Sequence, residues 1–286
     1  GNFNGKTILS LDYGEHTSGT GDPSIAANPA GQPGWITQSG VETFAISDAC
    51  YDPLTGKLIV LSGIGVWEVN PTYDRKKVTW TNQTAGIESL VVQQIVKAPK
   101  PNGRILVACQ DRPNFSIASP TTYATTYNPA SGSIQHAGDI VYADDDPTVV
   151  FGSSGSSIWR SQDSGQTWVR IATQGINGCV FSAGMGGACP KLAAPNKLRV
   201  IHQDASPNSP LQIGMPTGDP NVGSNWSWTN SRDQGGNPII GYGYYVGYFN
   251  NMKYIDTDGS GNVYFLNYTG SDGGPKMYKS IDGGSN

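Results

Sequence analysis

One pattern recurs five times along the 286 residues: a short apolar strand, a turn rich in Asp, Pro, Asn or Gly, a second strand, a loop, then a third strand. The copies are ACYDPLTGKLIVLSGIGVWEV from Ala49, IVKAPKPNGRILVACQDRPNF from Ile95, IVYADDDPTVVFGSSGSSIWR from Ile140, KLAAPNKLRVIHQDASPNSPLQI from Lys191 and YIDTDGSGNVYFLNYTGSDGGPKMYKS from Tyr254. Their spacing, about 45 to 60 residues, is in the range of a four-stranded propeller blade. Most copies are followed by a segment that ends in tryptophan, at Trp80, Trp168 and the Trp226/Trp228 pair, and this segment supplies a fourth strand. β-Branched and aromatic residues alternate between Gly/Pro/Asp turns, and no stretch carries a helical period. The expected fold is all-β, a β-propeller of four-stranded antiparallel blades.

Composition agrees with this expectation. With 38 Gly, 19 Pro and 14% charged residues, the chain is turn-rich and its apolar residues fall in short runs. A net charge of −4 with 18 dispersed basic residues leaves no electrostatic footprint for nucleic acid or an anionic membrane, so neither is expected as a partner. No apolar run reaches the roughly 18 to 20 residues of a membrane span. The opening GNFNGKTILS lacks the charged-then-apolar order of a signal peptide, so the numbering is expected to begin at a processed or truncated end.

Four cysteines stand at positions 50, 109, 179 and 189 without a CxxC spacing, and no metal site or cofactor is expected. Cys179 and Cys189 bracket the glycine-rich GCVFSAGMGGAC and could close a small disulfide. Asn-x-Ser/Thr sequons occur at Asn82, Asn114, Asn225 and Asn267. Disulfide and sequons together point to an extracellular, secreted setting.

The octet SQDSGQTW, Ser161 to Trp168, falls between the third and fourth strands of one copy. Its Ser-x-Asp-x-Gly-x-Thr-Trp pattern resembles the Asp-box (BNR repeat) of sialidases, sortilin-like receptors and several glycoside hydrolases. That resemblance implies a structural turn: Asp163 accepts backbone N–H groups, Gly165 takes a conformation costly for other residues, Thr167 completes the box and Trp168 packs between blades. SIDGGSN repeats the start of the box with Ser280, Asp282 and Gly284. On this reading residues 1–35 are the tail of a preceding blade with a linker, residues 36–286 hold the blades, and the C-terminus is truncated within a longer protein.

Further landmarks come in one order: GQPGW (Gly31–Trp35), YDPLTGKLIVLSGIGVWEV (Tyr51–Val69), TAGIESLVV (Thr84–Val92) and PNGRILVACQDRPNF (Pro101–Phe115). This succession resembles glycoside hydrolase family 74, the xyloglucan-active endo-β-1,4-glucanases, and in particular their second propeller. The resemblance implies two seven-bladed propellers facing each other across a cleft for a β-glucan polysaccharide, and inversion by one aspartate from each. By position in the motif Asp111 would be the general acid, although Cys109-Gln110 and Arg112-Pro113-Asn114 replace the family's residues around it. An inverting pair stands about 6.5–9.5 Å apart to admit water. The family's other aspartate lies in a Thr-Asp-x-Gly-Gly segment that this sequence lacks, so a preceding propeller of the same protein is the expected partner. The alternative is a non-catalytic carbohydrate-binding or adhesion propeller on a cell surface, appendage or virion.

In a propeller the strand two-to-three loops and the blade-to-blade loops open on one face. Asp111 and Asp204 belong to that face, as does GYGYYVGYFNN, whose Tyr242, Tyr244, Tyr245 and Tyr248, together with Trp35, could stack on sugar rings. Asp144, Asp145 and Asp146 fall on the opposite face, where solvated turn-capping is expected. DTDGSGN, with Asp256 and Asp258, imitates a calcium loop but has Asn267 where a bidentate Glu is needed, and reads as a hairpin turn. His16, His136 and His202 are far apart and no G-x-S-x-G elbow occurs, so a hydrolytic triad has no support. Seven arginines and four glutamates, none in a sialidase-like setting, speak against that chemistry.

Overall fold

The computed structural model describes residues 2–3, 6–7, 46–62, 65–70, 80–84, 90, 92–101, 103–109, 114–122, 124, 127, 137–154, 157–172, 191–203, 209–241, 255–269 and 274–285. The chain divides into two units, 1–90 and 91–286. Among the described residues there is no α-helix, only a 3-10 turn at Gly223–Asn225, and no helix is long and apolar enough to cross a membrane.

In the first unit β1 (Asn2–Phe3) pairs with β2 (Lys6–Thr7), and one four-stranded antiparallel sheet comes next in the order β3 (Ile46–Asp52), β4 (Lys57–Ser62), β5 (Gly65–Val69), β6 (Trp80–Asn82). The β3–β4 hairpin is tight because Asp52 accepts the Leu54 N–H at 2.9 Å and the Thr55 hydroxyl at 2.5 Å, while Gly56 takes φ +73°. At the other edge the Asn82 carboxamide accepts the Thr84 N–H at 2.7 Å, and Thr84 Oγ1 accepts that of Val66.

The second unit holds four blades. Blade 2 is β7 (Val92–Lys97), β8 (Ile105–Cys109) and β9 (Asn114–Ile117); blade 3 is β10 (Ala137–Tyr142), β11 (Val150–Ser154), β12 (Ser157–Ser161) and β13 (Val169–Ala172). Blade 4 is β14 (Lys191–Asn196), β15 (Arg199–Gln203), β17 (Gln212–Pro216) and β18 (Trp226–Asn230). Between and after them β16 (Ser209–Pro210) pairs with β19 (Ile240–Gly241), a ladder the repeat pattern does not announce. Blade 5 is β20 (Ile255–Thr257), β21 (Val263–Thr269) and β22 (Gly274–Ser280). The fold is all-β, built of antiparallel β-propeller blades as the repeats imply.

Strand periodicity explains how the blades stack. Successive residues point to opposite faces of a sheet, so Ile140 and Val150 turn toward Leu106 and Ala108 of blade 2. Their neighbours Val141 and Phe151 turn toward Leu192 and Val200 of blade 4. Ala193 and Ile201, next along blade 4, meet Ile255, Val263 and Phe265 of blade 5. Each middle blade is covered on both faces, which is why successive residues of β11 and β15 are buried rather than alternately buried and exposed.

The turn-bearing ends of the blades correct one expectation. Asp144, Asp145 and Asp146 are not merely solvated caps. Asp144 accepts from Thr257 Oγ1 at 2.8 Å and from the Gly261 N–H at 3.3 Å; Asp145 accepts the Lys197 N–H at 2.6 Å; Asp146 serves its own turn through Thr148 and also pairs with Lys197 Nζ at 3.8 Å. Arg160 extends the stitching, donating to Asn221 Oδ1 at 2.6 Å and to the Lys197 carbonyl. These groups lock neighbouring blades because each first turn lies against the next blade's backbone, a juxtaposition invisible in a local Asp run.

The sequons need correction as well. Asn82 and Asn114 are 3% and 2% exposed, so neither can carry a glycan in this fold. Their Asn-x-Ser/Thr spacing therefore adds nothing to the argument for secretion.

Candidate functional site

Register fixes which groups share the loop-bearing end of the blades. In blade 2 Val92 pairs with Cys109, in blade 3 Ala137 with Ser154, and in blade 4 Lys191 with Gln203, so the start of each first strand lies beside the end of the second. The first strands of blades 2 to 4 are then tied in series. Gln94 Oε1 accepts the Ile140 N–H at 2.6 Å, and Asp139 Oδ2 accepts the Leu192 N–H at 2.7 Å. Ser153 Oγ accepts the Asp139 N–H at 3.0 Å. A side chain must do this work because first strands of neighbouring blades are not paired by a ladder, and a buried N–H left unbonded is costly.

Asp111 would sit in the loop between Cys109, the last residue of β8, and Asn114, the first of β9. Both roots are buried, and Phe115 next to Asn114 meets Tyr127 edge to face at 6.2 Å. Asn114 Oδ1 has no hydrogen-bond partner. The corresponding root in blade 4 is Gln203, buried with its Oε1 also without a partner. Beside it, His202 Nε2 lies 2.9 Å from Gln212 Oε1, and the ring meets Trp228 edge to face at 5.4 Å. The loop-bearing end is thus rooted in neutral amides, one carboxylate and an imidazole held among apolar residues. Among the described residues no group of three His, Cys, Asp or Glu could hold a metal ion.

Asp111, Asp204, Trp35, Tyr242, Tyr244, Tyr245, Tyr248, Cys179 and Cys189 fall outside the described residues, as do His16, His136 and Phe249. What sequence reasoning missed is the polar set Gln94, Asn114, Asp139 and Gln203, of which Gln94 is half-buried and the other three are buried. A signal was present: a polar residue precedes the apolar run of β7 and of β10, where a plain strand alternation would be indifferent to it.

The opposite end carries the Ser161–Trp168 turn. Asp163 Oδ1 accepts the N–H groups of Gln166 at 2.9 Å and Thr167 at 2.8 Å, and Oδ2 accepts the Thr167 hydroxyl at 2.6 Å. Ser161 Oγ accepts the Gly165 N–H at 2.8 Å and donates to Asp163 at 2.8 Å. Partial burial alone would raise the Asp163 pKa, but the bonds from Thr167, Ser161 and Gln166 outweigh it and hold the carboxyl below its ordinary value. Trp168 Nε1 donates to the Gly165 carbonyl at 3.1 Å while its ring lies over Gly152, where a Cβ would come within 3.1 Å of it. In this turn the carboxylate's acceptor sites are taken up by the backbone and Thr167, an arrangement that holds a loop rather than one that attacks a substrate.

No family model matches the sequence, and no curated protein matches it. Solved structures do. The GH74 enzyme of Niastella koreensis superposes with a TM-score of 0.55 over 90% of this chain at 16% identity, and the GH74 xyloglucanase of Xanthomonas campestris with 0.54 over 83% at 15% identity. The chain spans 38% and 30% of those two proteins. At this identity the likeness is one of fold: the chain shares the propeller architecture of GH74 enzymes.

Proposed function

We propose that the chain is a secreted, glycoside-hydrolase-like propeller that acts on a β-1,4-glucan such as xyloglucan, with Asp111 as general acid of an inverting pair. The observation that carries this reading is the fold shared with two GH74 enzymes. The ordered landmarks from Gly31 to Phe115 point the same way. In the mechanism Asp111, protonated, delivers its proton to the leaving glycosidic oxygen while a second carboxylate, from a preceding propeller, removes a proton from the attacking water. The buried roots Cys109 and Asn114 would hold the Asp111 loop in place. Tyr242, Tyr244, Tyr245, Tyr248 and Trp35 would offer stacking surfaces to the glucan backbone.

The test is release of reducing ends from xyloglucan by the protein with its upstream sequence, beside the Asp111→Asn variant. Loss of release with retained polysaccharide binding is expected; unchanged release in the variant would overturn the assignment. A second reading, a propeller that binds carbohydrate without cleaving it, is favoured by Arg112-Pro113 in place of the small residues after the family's aspartate. It predicts xyloglucan binding with no reducing ends at all, and coding sequence upstream of Gly1 that lacks a Thr-Asp-x-Gly-Gly propeller.

A further inference from the structure

Two polar atoms at the interface of blades 2 and 3 are buried without a partner. The Asn114 amide oxygen and the Trp159 indole nitrogen belong to residues 2% and 8% exposed, and neither atom makes a hydrogen bond within the chain. One is an acceptor, and the other can only donate. Leaving either unsatisfied is costly, and buried polar groups in native folds are nearly always paired with protein or ordered water.

Strand alternation turns the two side chains toward each other. Asn114 pairs with Ala108, which packs on Ile140 and Val150 of blade 3, so Asn114 shares that face of blade 2. Arg160 bonds to Asn221 and Lys197 of blade 4, so its neighbour Trp159 points the other way, toward blade 2. Trp159 also pairs with Gly152, over which lies the ring of Trp168, itself packed on the blade 2–blade 3 cluster. Their levels match as well. β9 and β12 are both third strands and run from the loop-bearing end toward the turn-bearing end. Two residues below Asn114, Ser116 Oγ donates to the Ser164 carbonyl at 2.8 Å; two residues below Trp159, Ser161 enters the turn that holds Ser164. Acceptor and donor thus stand opposite each other in the third-strand layer.

We propose that one buried water joins the Trp159 indole N–H to the Asn114 amide oxygen, and that this bridge makes both of them positioning residues for the blade 2 loop. The water accepts from the indole and donates to the amide, which supplies the two polar partners an internal water needs at minimum. Asn114 is the first residue of β9 and receives the chain from the loop that contains Asp111, three residues earlier. Tying its side chain to blade 3 fixes the end of that loop. The consequence for catalysis rests on the glycosidase reading of Asp111; the bridge itself does not.

A high-resolution crystal structure of the native chain should place a water within about 3.2 Å of both atoms. A direct contact between the two atoms, or no water between them, overturns the bridge. Asn114→Leu and Trp159→Phe should each lower the melting temperature by about 2 °C or more. The double variant should lose much less than the sum, because each group is orphaned only while the other remains; additive losses overturn the pairing. With the upstream sequence present, each single variant should lower kcat on xyloglucan about tenfold or more with KM little changed. Trp168→Phe, at the turn-bearing end of the same interface, should lower the melting temperature and leave kcat. Equal kcat losses in all three variants overturn the positioning role. A native protein that releases no reducing ends overturns the glycosidase reading and with it this kcat effect, while the crystal and melting data still decide the bridge.

Discussion

Asp144, in the first turn of blade 3, accepts a hydrogen bond from Thr257 Oγ1 of blade 5 at 2.8 Å, reaching past the whole of blade 4. Only inner strands allow this, because β10, β14 and β20 lie side by side and their ends converge. Burial is the main cause that raises the Asp144 pKa above 3.8, with Asp258 and Asp256 adding to it, while the bonds from Thr257 and Gly261 pull the other way.

Asp144→Ala should destabilise the 91–286 unit by about 1–3 kcal/mol in urea unfolding, since two donors lose their acceptor. With a folded pKa above the unfolded one, the protonated carboxyl is the form the fold favours. Its contribution is therefore complete below pH 3.8 and declines as pH rises through the raised value. The stability gap between the native protein and Asp144→Asn should shrink over that rise; a gap that widens would contradict the burial.

Asp163 predicts the opposite slope. Its folded pKa is held below 3.8, so its contribution is present above that pH and disappears as pH falls through the lowered value. Asp163→Ala should cost about 2 kcal/mol at neutral pH, the scale for bonds to a charged group. Measured on the acid side of both values, native protein and variant should converge.

Gly165 and Gly236 both take φ +81° but differ in surroundings: a Cβ on Gly165 would press on Leu106, and one on Gly236 would meet nothing within 4 Å. Gly236→Ala isolates the backbone cost, about 1 kcal/mol. Gly165→Ala should add about 1–3 kcal/mol for overpacking between blades 2 and 3. Equal losses in thermal or urea unfolding would show that Leu106 yields freely.

Secretion from a glycosylating host tests the buried sequons. The folded product should be unmodified at Asn82 and Asn114, which peptide mass mapping reads directly, because a glycan there cannot coexist with 3% and 2% exposure. Folded protein carrying a glycan at either site would contradict the placement of β6 or β9.

Much of this was legible in local sequence. The five strand repeats lie within three residues of the strands that start each blade, and the Asp163 turn was readable because all its donors fall within four residues of Asp163. The polar first-strand positions were not, since Gln94 and Asp139 act on Ile140 and Leu192, whose amides are distant in sequence. Nor could a run of identical letters, Asp144 to Asp146, tell which carboxylates face a neighbouring blade.

The sequence alone determined the all-β class, the blade period and the local turns, because period-two patterning and side chain to backbone bonds act over a few residues. Tertiary structure decided which polar groups are buried and which aspartate titrates upward. Burial and dielectric are set by the neighbouring blade, and strand alternation places the same letters against different neighbours on its two faces.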